Sequence, residues 1–416
     1  MRIAIIGTGI SGLSVANLLK DKHEVILFDH QERNGGLIKC DIVDSVLFHK
    51  VGGHVFNSKN KKVSDWFWSY FDKEKEFIQV KRNAKILFQN KIIGYPIENY
   101  IYNLDKETVS RIIDELLCLD RGDKISPLEY ANFEDFLKYN FGDTLYNLYF
   151  KPYNTKIWNT DLSVIPMPWL EGKLPMPDLK DILLNNITKE EESQMVHSTF
   201  FYPKTGGSQF IVDRLSEGLD IRLSEDTSLL QKKEKGFSLS GEDNFDQIIY
   251  CGDIRKMPNY MDNLVSQTVD IRKIKSLNTN GTSNLLCETD DNDVSWLYIP
   301  EPFTCAHRII YTGNFSSVNN GNRKRKTCVV EFSGEVEYEK MIHEIKKLPG
   351  NLTPITYNYE PSSYVIHNFD TRGLIEKTKK VLATENIFLL GRFAEWEYYN
   401  MDKCIEAAMQ LVNPKI

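Results

Sequence analysis

The sequence predicts an α/β fold that carries a helical insertion and an antiparallel β-sheet. Three observations predict it. A glycine-rich turn joins two apolar runs through a helical stretch within residues 1–30. Residues 100–190 abandon that alternation and repeat their apolar positions at helical spacing. From about Val269 to Phe332 short apolar runs alternate with turn residues, and a strand–helix pattern returns at Ile387.

The opening element is the most informative. Ile3 to Ile6 is a buried-strand run, Gly7-Thr8-Gly9-Ile10-Ser11-Gly12 is the turn, and Leu13, Ala16, Leu18 and Leu19 are the apolar positions of the following helix. A second run, Val25 to Phe28, ends at Asp29. Gly7 permits the tight turn, Gly9 lets backbone approach a pyrophosphate, and Gly12 lets helix pack closely on strand. The phosphates then rest on the free N–H groups of the helix N-terminus around Ser11, and Asp29 holds a ribose hydroxyl. Asp29 lies 17 residues beyond the last glycine, near the ~20 of a Rossmann-type dinucleotide site. The bland alternative is an ordinary tight strand–helix turn. Glu32-Arg33-Asn34-Gly35-Gly36 follows, and a second glycine pair ending at Gly36 brings another backbone segment to the same cofactor. An acid followed by Arg-x-Gly-Gly resembles the FAD-binding arm of amine-oxidase and glutathione-reductase-like flavoproteins, which favours FAD over NAD.

Length and composition bound the remainder. A chain of 416 residues is enough for roughly two or three domains with a sizeable core. The net charge of −7 gives no sign of a nucleic-acid partner, though a local basic site for phosphates is compatible with it. Seven scattered cysteines without a CxxC pair read as free thiols in a reducing compartment, with no structural zinc. No metal site is expected. No signal peptide is expected before the first strand, and no apolar run approaches the ~20 residues of a membrane span. A cytoplasmic protein is the expectation.

Further along, Val51-Gly52-Gly53-His54-Val55-Phe56 places two glycines before a histidine, either a turn cap or a functional group beside a ligand. Lys85 to Phe88 and Lys91 to Ile93 read as a hairpin about Gln89-Asn90. Val109, Ile112, Ile113, Leu116 and Leu117 form a helix behind Asp105 as N-cap, and Asn132 with Asp135 opens another at Phe133. Tyr146 to Asp161 interleaves aromatics with amides, lysines and a proline. Such aromatics are usually core, but the mixture also makes a stacking and hydrogen-bonding surface for a nucleobase or a sugar. Asp178 to Ser198, with its charged run Lys189 to Glu192, reads equally as a mobile lid or a solvated loop and helix. Gly206-Gly207-Ser208 precedes an amphipathic helix with Phe210, Ile211 and Leu215. Phe245 to Tyr250 is a buried-strand run ending in Cys251-Gly252-Asp253. Ile271 to Ile274, Leu285 to Glu288, Trp296 to Ile299, Ile309 to Thr312 and Cys328 to Phe332 read as strands of an antiparallel sheet, and Arg323 to Lys326 as a solvated hairpin tip. Ile387 to Leu390 is a last buried strand, Gly391 to Asp402 a turn, and an apolar helix begins near Cys404. That helix N-terminus could face a second part of the cofactor.

Together, the stretches Gly7–Gly36, Gly52–Phe56, Tyr146–Asp161, Phe245–Gly252 and Asn386–Asp402 resemble the UDP-galactopyranose mutase family, with gaps, over most of the chain. Phe-Asp-x-Ile-Ile-Tyr-x-Gly and Gly-Arg-x-x-x-Trp-x-Tyr-x-x-Met-Asp are its most specific parts. The resemblance implies a discontinuous Rossmann-type FAD-binding domain of residues 1–75, 203–262 and 365–416. It implies a helical substrate domain of 99–198 and an antiparallel sheet domain of 76–98 and 263–364. It also implies a redox-neutral exchange between pyranose and furanose forms of a nucleotide-linked sugar, through a reduced-flavin N5–sugar adduct, for surface glycan synthesis. His54 then lies beside the flavin, with Gly252, Arg392, Asn400, Met401 and Asp402 as further cofactor contacts. Tyr149, Phe150, Tyr153, Asn154 and Trp158 match the uridine stretch, and Tyr398 a diphosphate contact. Arg308 and Lys173 match the diphosphate arginines, and with His54 they are the catalytic candidates. Lys173 lacks the bidentate fork of arginine, and Asn400 stands where many members have aspartate, so a related nucleotide sugar is allowed. A homodimer is compatible with this reading. Two other classes remain open from the residues: an oxidoreductase of the amine-oxidase or protoporphyrinogen-oxidase type, and a non-enzymatic FAD-binding protein.

Overall fold

In the computed structural model, residues 1–119, 126, 129–167, 178–189 and 198–415 are described. The fold is α/β, with a discontinuous Rossmann-like domain, helical insertions and a mixed, mostly antiparallel second sheet. Strand β1 (Arg2–Ile6) runs into helix α1 (Ile10–Leu19), and strand β2 (Glu24–Phe28) follows. β1 and β2 lie centrally in a five-stranded parallel sheet ordered Ile387–Leu389, Gln247–Tyr250, β1, β2, Asp220–Arg222. The sheet is thus gathered from three distant parts of the chain.

Both faces of this sheet are covered, which explains why its strands read as continuous apolar runs. Ile3 and Ile5 pack with Leu13 and Ala16 of α1 and with Ile405 and Ala408 of the C-terminal helix Met401–Lys415. Ala4 and Ile6 pack with Phe245, Ile248 and Trp396 on the other side. The helix near Cys404 therefore begins three residues earlier than its apolar pattern announces, at Met401.

The second sheet has seven strands in the order Thr353–Ile366, Asn278–Thr289, Lys326–Ser333, Ala306–Ile310, Trp296–Tyr298, Ala84–Phe88, Lys91–Gly94. The pairing of Trp296–Tyr298 with Ala84–Phe88 is parallel, so the sheet is mixed and not wholly antiparallel. The hairpin about Gln89-Asn90 is present, with both turn residues at positive φ, as a tight two-residue connection demands.

Two further corrections concern single elements. Ile271 to Ile274 is not a strand but lies in a short helix, Ile271–Lys275, because Asp270 caps it by accepting the Arg272 N–H at 3.0 Å. Arg323 to Lys326 is not a simply solvated tip: Arg323 pairs with Glu288 at 2.7 Å and Lys326 with Asp291 at 2.6 Å. The long strand Thr353–Ile366 carries two prolines and a half-exposed pattern, and it lies on the sheet edge where proline is tolerated.

The insertion is helical, as its periodicity predicts. Asp105 accepts the Thr108 N–H at 3.0 Å to start Lys106–Cys118, and Asn132 accepts the Asp135 N–H at 2.9 Å to start Phe133–Leu145. A π-helical turn, Tyr146–Phe150, leads into Lys151–Trp158. Lys156 pins that helix to the second sheet, donating to the carbonyls of Ile299, Glu301 and Ala306 at 3.0, 2.6 and 3.2 Å.

Candidate functional site

The cofactor side is built from bare backbone. Gly7 takes φ +112°, open to glycine alone at low cost, and a side-chain carbon on Gly12 would lie 1.9 Å from the Gly7 carbonyl oxygen. A side-chain carbon on Gly36 would lie 3.3 Å from Cα of Gly9, so two glycine backbones face each other at the turn. The N-cap residue of α1 is Gly9, which has no side chain to cap it, so its first N–H groups are available to a ligand. Ser11 is buried at this end, and a side-chain carbon on Gly391 would lie 2.5 Å from its Oγ. Asp29 accepts from the Thr8 N–H and hydroxyl at 2.8 and 2.7 Å and from the Gln31 N–H at 3.0 Å. Gly252 follows the end of the neighbouring strand, packed on the Tyr250 ring. These features fit a dinucleotide: an uncapped helix end, a glycine cradle that any β-carbon would fill, and an acid at the end of β2.

The C-terminal segment closes on the same turn. Arg392 donates from Nε to the Tyr399 carbonyl at 3.0 Å and from NH1 to the Ser363 carbonyl at 3.0 Å. Asn400 is exposed, and its carbonyl accepts the Cys404 N–H at 3.0 Å at the head of the last helix. Met401 is buried, and burial raises the Asp402 carboxyl above its ordinary range.

His54 sits where these parts meet the second sheet. Its Nε2 is shut off from solvent and has no hydrogen-bond partner among the described residues. Burial, then the Arg392 and Arg308 charges, depress its pKa to about 4, so the ring is neutral at pH 7. Gly53 has no room for a side chain, since one would lie 2.6 Å from Ile310.

Arg308 projects from Ala306–Ile310, its side chain 21% exposed. Its Nε donates to Glu331, and its NH2 lies 3.2 Å from the Tyr364 hydroxyl. Burial opposes the Arg308 charge, but Glu331 and then Tyr364 more than offset it. Burial also pushes the Glu331 carboxyl up, yet Arg308 and His307 hold it well below the usual range. The phenol of Tyr364 stacks on Tyr398 at 5.8 Å, and the Arg392 guanidinium lies 4.7 Å from the Tyr398 ring centre. His54, Arg308, Tyr398 and Arg392 are therefore one cluster.

An aromatic wall continues from Arg308. Tyr298 stands opposite Arg308 in the sheet register. Tyr153 packs on Tyr298 at 5.5 Å and stacks on Tyr149 at 5.6 Å; Tyr95 packs on Tyr298 at 4.8 Å. Arg82 donates to the Tyr298 hydroxyl at 2.7 Å. Phe150 and Trp158 are turned toward the insertion, against Phe141 at 4.3 Å and Phe133 at 5.3 Å. Asn154 donates to the Phe150 carbonyl, four residues back at the end of the π-helical turn, at 2.7 Å. Lys173 lies outside the described residues, as do residues 190–197 of the lid candidate; Leu179–Thr188 is helical. Glu331, Tyr298, Tyr364, Arg82 and Tyr95 were not foreseen. Only Glu331 left a signal, a lone acid inside the apolar run Cys328-Val329-Val330-Glu331-Phe332.

Among the described residues, no helix is long and apolar enough to cross a membrane, and no group of three or more His, Cys, Asp or Glu side chains could hold a metal. A family model for an NAD(P)-binding Rossmann-like domain matches residues 5–71. The chain is 22% identical to the UDP-galactopyranose mutase of Mycoplasma genitalium, covering 97% of this chain and 92% of that protein. It is also 22% identical to the dTDP-fucopyranose mutase of Escherichia coli, covering 98% and 97%. Among solved structures, a reduced UDP-galactopyranose mutase superposes with a TM-score of 0.85 at 21% identity, over 99% of this chain and 94% of that one. Putrescine oxidase bound to putrescine superposes with a TM-score of 0.63 at 14% identity, over 99% and 98%. The chain thus has a Rossmann-like dinucleotide-binding fold related to that of the UDP-galactopyranose and dTDP-fucopyranose mutases, at about 21% identity.

Proposed function

We propose that this protein is a flavin-dependent mutase that interconverts the pyranose and furanose forms of a nucleotide-linked sugar, UDP-galactose or a close relative such as a dTDP-deoxyhexose. The observation that carries this reading is one juxtaposition. A partly exposed arginine walled by tyrosines, suited to a nucleoside diphosphate, adjoins a half-buried neutral histidine with a sheltered Nε2 and the segment that closes on the glycine turn. Likeness to two curated mutases along nearly the whole chain supports it; the fold alone does not, since it also superposes on an amine oxidase.

In this reading Gly7, Gly9, Ser11, Gly12, Asp29, Gly36, Gly252, Arg392, Asn400, Met401 and Asp402 hold FAD, with His54 beside the flavin. Reduced flavin, when bound, supplies a nucleophile that is regenerated each turnover, so no net electrons are consumed. The protein does the rest. Tyr149 and Tyr153 of the aromatic wall receive the nucleoside, with Phe150 and Trp158 packed into the insertion behind them, and Arg308, Tyr398 and Lys173 receive the diphosphate. Burial raises the phenols of Tyr153 and Tyr364 well above their ordinary range, so both stay protonated and can donate to phosphate oxygens at neutral pH. The Arg308 guanidinium offsets charge as the diphosphate leaves and keeps it in place for return, which converts a bimolecular recombination into a local one. Neutral His54 adds no charge beside the reacting sugar and offers its unpartnered Nε2 for a hydrogen bond.

The test is direct. Purified protein is reduced with dithionite and given UDP-galactopyranose and a panel of UDP- and dTDP-sugars, and products are separated by HPLC. A furanose isomer formed only with reduced protein is the expected result and names the sugar. No isomer from any donor, with flavin re-oxidation coupled to loss of an amine or tetrapyrrole, would replace this reading by an oxidase.

A further inference from the structure

Five polar residues stand in cross-strand register on one face of the second sheet: Tyr298, Arg308, Glu331, Asn284 and Asn358. Glu331 is at the centre of this row and is almost wholly buried at 1% exposure. Its two oxygens do different work. Oε2 accepts from Nε of Arg308 and lies 3.4 Å from Nε2 of His307. Oε1 accepts the backbone N–H of Gly52 at 3.0 Å. Gly52 takes φ +65°, and a side-chain carbon there would lie 3.4 Å from Nε2 of His54 and 3.9 Å from NH2 of Arg308.

We propose that Glu331 is a positioning residue of the nucleotide-sugar site, clamping Arg308 with one carboxylate oxygen and the Gly52–His54 backbone with the other. It thereby sets the spacing between the diphosphate-facing and flavin-facing sides of the site. The inference rests on the function proposed above and deepens it. The clamp has a second consequence. The Glu331 charge lies against the cation that meets the diphosphate, so it weakens the grip on a bound nucleoside diphosphate while fixing the guanidinium in one orientation. Placement improves, and the diphosphate is not held so tightly that turnover stalls.

The two effects separate in two variants of the full-length, FAD-loaded protein. UDP affinity is measured by equilibrium dialysis, and kcat and KM with reduced protein. Glu331→Gln keeps the shape and removes the charge. It should tighten UDP binding by about tenfold, the size of one charge removed nearby, and lower KM. It should also cut kcat by about 10²-fold, the cost of a misplaced group. Glu331→Asp keeps the charge but cannot reach both partners; UDP affinity should stay within about twofold while kcat falls comparably. A Gln variant that binds UDP no more tightly, or turns over normally, overturns the proposal and leaves Glu331 a structural acid. If the Gln variant does not fold, the Asp variant decides, and normal kcat overturns the clamp. A wild-type protein that binds neither UDP nor dTDP would instead overturn the nucleotide-sugar reading itself, a failure visible before any variant is made.

Discussion

Arg308 and Glu331 make each other possible: a carboxylate with 1% exposure is tolerable only beside its guanidinium. Arg308→Ala therefore has two expected costs. Catalysis should fall by about 10²–10³ in kcat, as for other lost charge-stabilising donors. Folding stability should fall by about 3–5 kcal/mol, because a buried charge is left unpaired, and urea titration reads this separately from turnover. Full activity would remove Arg308 from the site. His54 gives the pH behaviour. Its pKa is about 4 in the folded protein against 6.5 ordinarily, so between those values the unfolded chain binds more protons. Stability should be full above pH 6.5 and decline as pH falls toward 4. His49, lowered by burial to about 3, acts in the same direction. In His54→Gln the decline in Tm over that window should be shallower; an unchanged slope would mean His54 is not held neutral in the folded protein.

At the scale of elements, the glycine turn makes a paired prediction. Gly12→Ala drives a carbon to 1.9 Å from a backbone oxygen and should cost about 1–3 kcal/mol and, on the proposed function, most of the flavin that co-purifies, read from the flavin-to-protein absorbance ratio. Gly373→Ala, with nothing within 4 Å inside the helix Thr371–Ala383, should instead stabilise by about 0.5–1 kcal/mol. Retention of flavin by Gly12→Ala would contradict the cradle. Elements were legible where a local rule governs them. Asp105 and Asn132 announced their helices because a cap is a contact between residues three apart. Ile271 to Ile274 misled because β-branched apolar spacing is shared by strands and short helices, and the cap at Asp270 was decisive. Thr353–Ile366 was missed because an edge strand tolerates the prolines and exposed positions that disguise it.

At the scale of the whole molecule, the glycine turn proposed for the dinucleotide was readable because its signature is nearly contiguous, from Gly7 to Gly36. The half proposed for the sugar was not. Tyr298, Glu331 and Tyr364 reach Arg308 only through sheet register and side-chain contact, and no spacing in the chain encodes such an encounter. Resemblance pointed to Arg308, Tyr149 and Tyr153 as candidates but not to the side chains packed against them. One fold is shared by a mutase and an oxidase among the solved structures, and here the stretches proposed for the cofactor are separate from the sheet face proposed for the substrate. What distinguishes the two chemistries is the electron count. The decisive measurement is an anaerobic time course with stoichiometrically reduced flavin and either UDP-galactopyranose or dTDP-fucopyranose, following HPLC product and flavin absorbance together. Many furanose molecules per flavin, with the flavin still reduced at the end, is the expected result. One flavin oxidised per molecule consumed, or no isomer from either donor, would contradict it.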